Sequence, residues 1–225
     1  MRPVRCAMPS VLFACLLLAG CSSASSDGST TSPGGGSGVA GPTGTAASSV
    51  ASTPTIPVGA GPQATYTVQK QPTAGSCHYR YQRGEPLPDP ACTPGAVSPA
   101  VTQANLKSTI CRKGGYTAGI RPPVSVTSKE KELSAAAYGY TGRLSDAEYD
   151  HLLSLQLGGD PNDARNLWLE PPDPGHKPGT GVNNKKDPVE TKLHTAVCSG
   201  QVTLAAAQRA IASDWTTALS TLGLS

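Results

Sequence analysis

The apolar positions of this 225-residue chain fall into three regimes. Near the N-terminus a continuous apolar run, Val11 to Leu18, follows Arg2 and Arg5. It is too short to span a bilayer comfortably and reads as a signal peptide over residues 1–20. Residues 21–66 then show no apolar periodicity; they are almost entirely Ser, Gly, Thr, Ala and Pro, with Asp27 the only charge. Such a segment buries too little apolar surface to offset its conformational entropy, so a disordered tether is expected. The remaining residues, 67–225, carry periodic patterns and suffice for one compact domain with a modest core.

Within that domain the elements can be placed one by one. Residues 77–95 hold Gly84, Pro86, Pro88, Pro90, Pro94 and Gly95, predicting an irregular loop. Ser98 before Pro99 predicts a helix start, with the helix running to about Cys111. Thr127 with Glu130 has the spacing of a capping box, opening a helix that ends near Tyr138, where Gly139 can take the left-handed conformation. Asp150 to Leu157 and Asn166 to Leu169 read as two strands of a hairpin around a turn-rich stretch. Asp187, Pro188 and Glu190 start a helix that stops near Gly200, and Thr203 caps a last helix whose buried stripe is Leu204, Ile211, Trp215 and Leu219. Trp168 and Trp215 are expected to anchor the core.

Charge changes this picture little. Of the 18 Lys and Arg, two precede the tether, and of the 15 Asp and Glu one lies within it, which leaves 16 against 14 and a formal charge of +2. That permits a polyanionic partner without arguing for one. Cysteine usage changes it more. Cys6 and Cys15 leave with the signal peptide, and Leu18, Ala19, Gly20, Cys21 resembles the lipobox of bacterial lipoproteins, in which the cysteine carries lipid and anchors the chain to the membrane. Four cysteines remain: Cys77, Cys92, Cys111 and Cys198. No two are spaced as in a zinc knuckle, and an even number outside the cytoplasm predicts two disulfides. Of the three pairings, Cys77 with Cys92 would staple the Pro-rich loop, and Cys111 with Cys198 would tie the two ends of the folded region.

The stretch Tyr149, Asp150, His151, then Gly158, Gly159, Asn162, Arg165, Asn166, Leu167 and Trp168 carries the chemistry. It resembles the HNH endonuclease superfamily, whose ββα-metal (His-Me finger) unit places an acid and a histidine on one strand and an asparagine on the next. The likeness extends over about Cys77 to Trp215, including the group Lys186, Asp187, Glu190 and the ending Gln208, Ile211, Asp214, Trp215, and is to secreted HNH-type proteins of high-G+C Gram-positive bacteria. It implies an α+β domain, a small ββα-metal hairpin and helix packed against additional helices and stapled by disulfides. It implies metal-dependent hydrolysis of phosphodiester bonds, with DNA favoured over RNA and Mg²⁺ favoured over Mn²⁺, Zn²⁺ or Ni²⁺. Such hydrolysis needs a base for water and a cation for the developing charge.

By the same resemblance His151 is the general base, Asp150 a metal ligand, and Asn166 the residue that holds the hairpin and orients the His151 ring. The chain departs from the pattern at the third position, where a histidine is usual. Asn184 is the first choice of ligand, His176 and His194 are the alternatives, and Asp187 is the expected helix cap. Lys185, Lys186 and Lys192 either contact phosphates or form a solvated face. The competing class is a non-catalytic, surface-anchored binding module that keeps the scaffold. No protein partner follows from the sequence.

Overall fold

The computed structural model describes residues 55–182 and 184–224. The signal peptide, Cys21 and the tether up to residue 54 lie outside the described residues. Residues 55–66, expected to belong to the tether, lie against the domain. Val58 bridges Val97 in parallel, Gly61 N–H donates to Asp160 Oδ2 at 2.6 Å, and Tyr66 Oη donates to the Ile120 carbonyl at 2.6 Å.

The fold is α+β, with two small antiparallel hairpins among helices. Strands β1 (Arg80–Gln82) and β2 (Glu85–Leu87) form the first hairpin, inside the stretch expected to be irregular. Arg83 and Gly84 turn it with φ of 55° and 86°. Positive φ at both central residues is the turn that matches strand twist, and Arg-Gly fills it without the usual Asn-Gly signature. The helix expected from Ser98 is replaced by a 3-10 segment, Gln103–Ser108. Here the Asn105 side chain accepts from Thr102 N–H at 2.8 Å and donates to the Ala100 carbonyl at 3.0 Å, diverting backbone groups a longer helix would need.

Helix α1 (Val124–Ala137) starts directly after Pro123, three residues before Thr127. The Thr127 to Glu130 capping box does not form, because Glu130 reaches instead to Gln69 N–H at 2.7 Å. Gly139 takes φ 60° after the last turn, as expected. Strands β3 (Glu148–His151) and β4 (Leu167–Glu170) make the second hairpin, in the register Glu148 to Glu170, Tyr149 to Leu169, Asp150 to Trp168 and His151 to Leu167. Strand β3 ends at His151 rather than continuing to Leu157; the chain bends, and Leu155–Leu157 is a 3-10 turn.

Helix α2 (Lys186–Cys198) packs on that 3-10 turn and on helices α3 (Leu204–Ser213) and α4 (Ala218–Thr221). Thr203 Oγ1 accepts from Ala206 N–H at 3.2 Å and caps α3, as its sequence predicts. The expected single last helix is broken at Asp214, whose carboxylate accepts from Thr216 N–H and Oγ1. The break lets Trp215 enter the core and donate its Nε1–H to the Pro86 carbonyl at 2.8 Å. Leu153, Leu157, Leu193, Val197, Ile211 and Trp215 centre the main core, and Trp168 centres a second cluster with Tyr138 and Leu152.

Both expected disulfides are present. Cys77–Cys92 closes the first hairpin region, and Cys111–Cys198 joins the 3-10 segment to the end of α2 across 87 residues of sequence. A crosslink that closes so long a loop removes much unfolded-state entropy. Replacing Cys111 and Cys198 together by Ala should therefore cost about 2–5 kcal/mol in urea unfolding. An unchanged midpoint would show that the crosslink contributes nothing to the domain.

Candidate active site

Two residues shape the loop between β3 and β4. Asn166 is fully buried and uses its amide completely: Oδ1 accepts from Leu153 N–H at 3.0 Å and Ala96 N–H at 3.3 Å, while Nδ2 donates to the carbonyls of Leu153 at 3.0 Å and Asp160 at 2.9 Å. Gly159 lets this clamp close, since a Cβ there would fall 1.7 Å from the Leu153 carbonyl oxygen. The expectation that Asn166 bonds the His151 ring is corrected: its four partners are all backbone groups. Its effect on the ring is indirect, through the carbonyl next to the one it holds.

That carbonyl belongs to Pro161, 3.0 Å from His151 Nε2. A carbonyl only accepts, so Nε2 carries the hydrogen and the neutral ring presents its lone pair at Nδ1. His151 is 8 % exposed, and burial pushes its pKa down to about 4, against the opposing effects of the Pro161 carbonyl and Asp150. It lines a cleft of about 350 Å³ together with Arg121, Thr127, Lys131, Glu148 and Tyr149. Within its hairpin β3 is paired on one side only, by β4.

Alternation along β3 puts Glu148 and Asp150 on the face opposite His151, and the register adds Trp168 and Glu170 from β4. Into this face comes Lys186, the first residue of α2, with 0 % exposure. Its Nζ donates to Asp150 Oδ2 at 2.6 Å, to the His151 carbonyl at 2.8 Å and to Glu190 Oε1. Burial alone would lower the Lys186 pKa, but Asp150, Glu190 and Glu170 raise it, so the ammonium persists. Lys186 is therefore neither a phosphate contact nor part of a solvated face. Lys185 pairs with Glu85 on the surface.

The carboxylates outnumber this cation. Burial, then Asp150, pushes the Glu170 carboxyl well above the usual range, and neither of its oxygens has a hydrogen-bond donor among the described residues. Burial, then Asp150 and Asp187, pushes Glu148 up to about 7. Asn184 stands at the margin of this group, its Nδ2 donating to Glu148 Oε2 at 2.6 Å and its Oδ1 accepting from Asp187 N–H at 3.1 Å. Asp187, expected to cap α2, lies inside its first turn, where its N–H is taken by Asn184 from just before the N-cap Lys185. Glu148, Glu170, Lys186 and Glu190 complete the site around Asp150. The i to i+4 spacing of Lys186 and Glu190 was the one signal that could have joined those two.

The other histidines lie elsewhere. His176 faces Asp146 at 3.8 Å, and His194 Nε2 contacts the Ile110 carbonyl at 2.9 Å. His194 also adjoins the second disulfide, and Cys111, His194 and Cys198 form a group with ligand atoms within 4.8 Å of one another that could hold a metal ion. Because the two sulfurs are bonded to each other, thiolate ligands there require reduction.

Two measurements check this arrangement. Lys186→Met leaves Asp150 and Glu190 buried without their cation and should cost about 3–5 kcal/mol in urea unfolding; a loss under 1 kcal/mol would contradict the ion-pair geometry. The His151 ring protons, followed by NMR, should titrate near pH 4, and a midpoint near 6.5 would mean that the ring is solvated. No family model, curated protein or solved structure matches the chain.

Proposed function

We propose that the domain is an HNH-type endonuclease that hydrolyses phosphodiester bonds of nucleic acid, DNA in preference to RNA, outside the cytoplasmic membrane. The observation that carries the reading is a neutral histidine, fixed through Nε2–H to Pro161 and lining a cleft, next in sequence to the acid of a carboxylate cluster. The order of β3, β4 and α2 supports reading them as the ββα-metal unit. The two disulfides suit an oxidising compartment, and lipidation of Cys21 would hold the protein at the membrane. Among the described residues no helix is long and apolar enough to cross a membrane.

The residues present suit a hard divalent cation such as Mg²⁺. Glu148, Asp150, Glu170, Asp187 and Glu190 surround a single ammonium, and Glu170 has two orphaned oxygens. Asp150 has Oδ2 committed to Lys186 and to Trp168 Nε1–H at 3.3 Å, which leaves Oδ1 as its ligand atom; Glu148 and Asn184 would complete the protein's share. When bound, the cation would offset charge on the phosphate and leaving oxygen. His151 Nδ1 takes a proton from water as the water oxygen bonds phosphorus. The bond to the leaving oxygen breaks, and that oxygen keeps the electron pair and is protonated by solvent. Pro161 holds the ring so that Nδ1 remains the only site for the proton.

One observation favours the competing binding module: Lys186 already neutralises Asp150, and the Asn184 oxygen already accepts from Asp187 N–H. Nicking of supercoiled plasmid, with Mg²⁺ and with chelator, separates the two. Wild type should nick only with metal, and His151→Ala should be slower by a factor of about 10²–10⁴. Asp150→Asn should nick weakly and recover at high metal concentration. Equal nicking by wild type and His151→Ala would place the cleavage elsewhere, and no cleavage of DNA or RNA with any divalent metal would leave the binding module.

A further inference from the structure

The cleft beside His151 is walled on its other side by the segment that opens α1, whose charge is unaccounted for by the carboxylate face. Arg121 is exposed at the cleft, and its guanidinium bears on both His151 and Asp187. Directly after it Pro122 and Pro123 start α1 with no side-chain cap and no acid in the first turn. Val124, at the positive end of this 14-residue helix, and Thr127 both line the cleft. Two turns beyond Val124, Lys131 is fixed on the wall by donating to the Ala147 carbonyl at 2.7 Å. Across from these donors stands His151, more than nine-tenths buried, with Nε2 committed to Pro161 and Nδ1 without a hydrogen bond among the described residues.

We propose that this cleft is the phosphate subsite of the enzyme. Arg121 clasps a backbone phosphate of nucleic acid in the cleft that His151 lines, and Lys131 supplies a fixed positive charge beside it. The proposal rests on the nuclease reading and names the residues that would hold its substrate. The donor suits phosphate, because the guanidinium is a planar fork that bonds two oxygens. Exposed Val124 and Val182, both lining the cleft, offer apolar surface to the attached sugar. The volume, about 350 Å³, accommodates a phosphate and its sugar rather than a whole duplex turn.

The test uses the full chain. Arg121→Ala removes an exposed side chain and should leave the melting temperature unchanged while lowering kcat/KM for plasmid nicking by about a hundredfold. Arg121→Lys should recover only part of this, since it keeps the charge and loses the fork. Inorganic phosphate, titrated into ¹⁵N-labelled protein, should move the amide signals of Val124 and Thr127, which line the cleft, in wild type and not in Arg121→Ala. If wild type nicks, Arg121→Ala nicks at the same rate and phosphate leaves both amides in place, the subsite is overturned and the His151 reading stands. If wild type nicks nothing but phosphate moves both amides through Arg121, the nuclease reading fails while the anion subsite is upheld.

Discussion

The arrangement of the site depends on one buried ammonium. Lys186 joins the first turn of α2 to strand β3 by bonding Asp150, Glu190 and the His151 carbonyl at once. A charge removed from water costs several kcal/mol unless its partners replace the lost hydration, and here three acceptors match the three donors of the ammonium. This fixes the distance between the helix and the strand, and with it the place of every acid carried by either. Asp150 cannot turn away without stranding Lys186, and α2 cannot slide without stranding Asp150. The second constraint, the Asn166 clamp, acts just beyond the same end of β3. It holds the carbonyls of Leu153 and Asp160, so the chain must leave the strand at His151 and return with Pro161 beside the ring.

Much of this was legible in the sequence, and the parts that were not share a cause. The two disulfides, the hairpin centred on Asp150 and Asn166, the Thr203 cap and the burial of Trp168 and Trp215 all follow from local composition and spacing. The helix expected at Ser98 failed because a later side chain diverts its backbone, and the capping box at Thr127 failed because its acid has another partner. Asn105 reaches its own flanking backbone, and Glu130 reaches Gln69, a residue from a segment that composition alone assigns near the tether. The hairpin at Arg80 to Leu87 was hidden by its prolines and by an Arg-Gly turn. Lys186 was the largest miss at the site. In a run of Asn, Asn, Lys, Lys a lysine reads as solvent-facing, and only the tertiary position of β3 turns it inward.

The same burial that keeps His151 neutral also sets a tension in its chemistry. A ring that protonates only near pH 4 is available as a base at neutral pH but draws weakly on a proton. Its low affinity has identifiable sources: lost hydration first, and then the positive charges of Arg121 and Lys186. A substrate phosphate in the proposed subsite would act on the second source. Its negative charge, lying between Arg121 and the ring, would neutralise the guanidinium and attract a proton to Nδ1, raising the basicity of His151 only while substrate is bound. Lys186 would not be relieved in this way, because its charge is spent on Asp150 and Glu190 on the far face of β3. On the nuclease reading the two cations therefore have separate places: Lys186 holds the acids on the far face of β3, and Arg121 stands in the cleft beside the base.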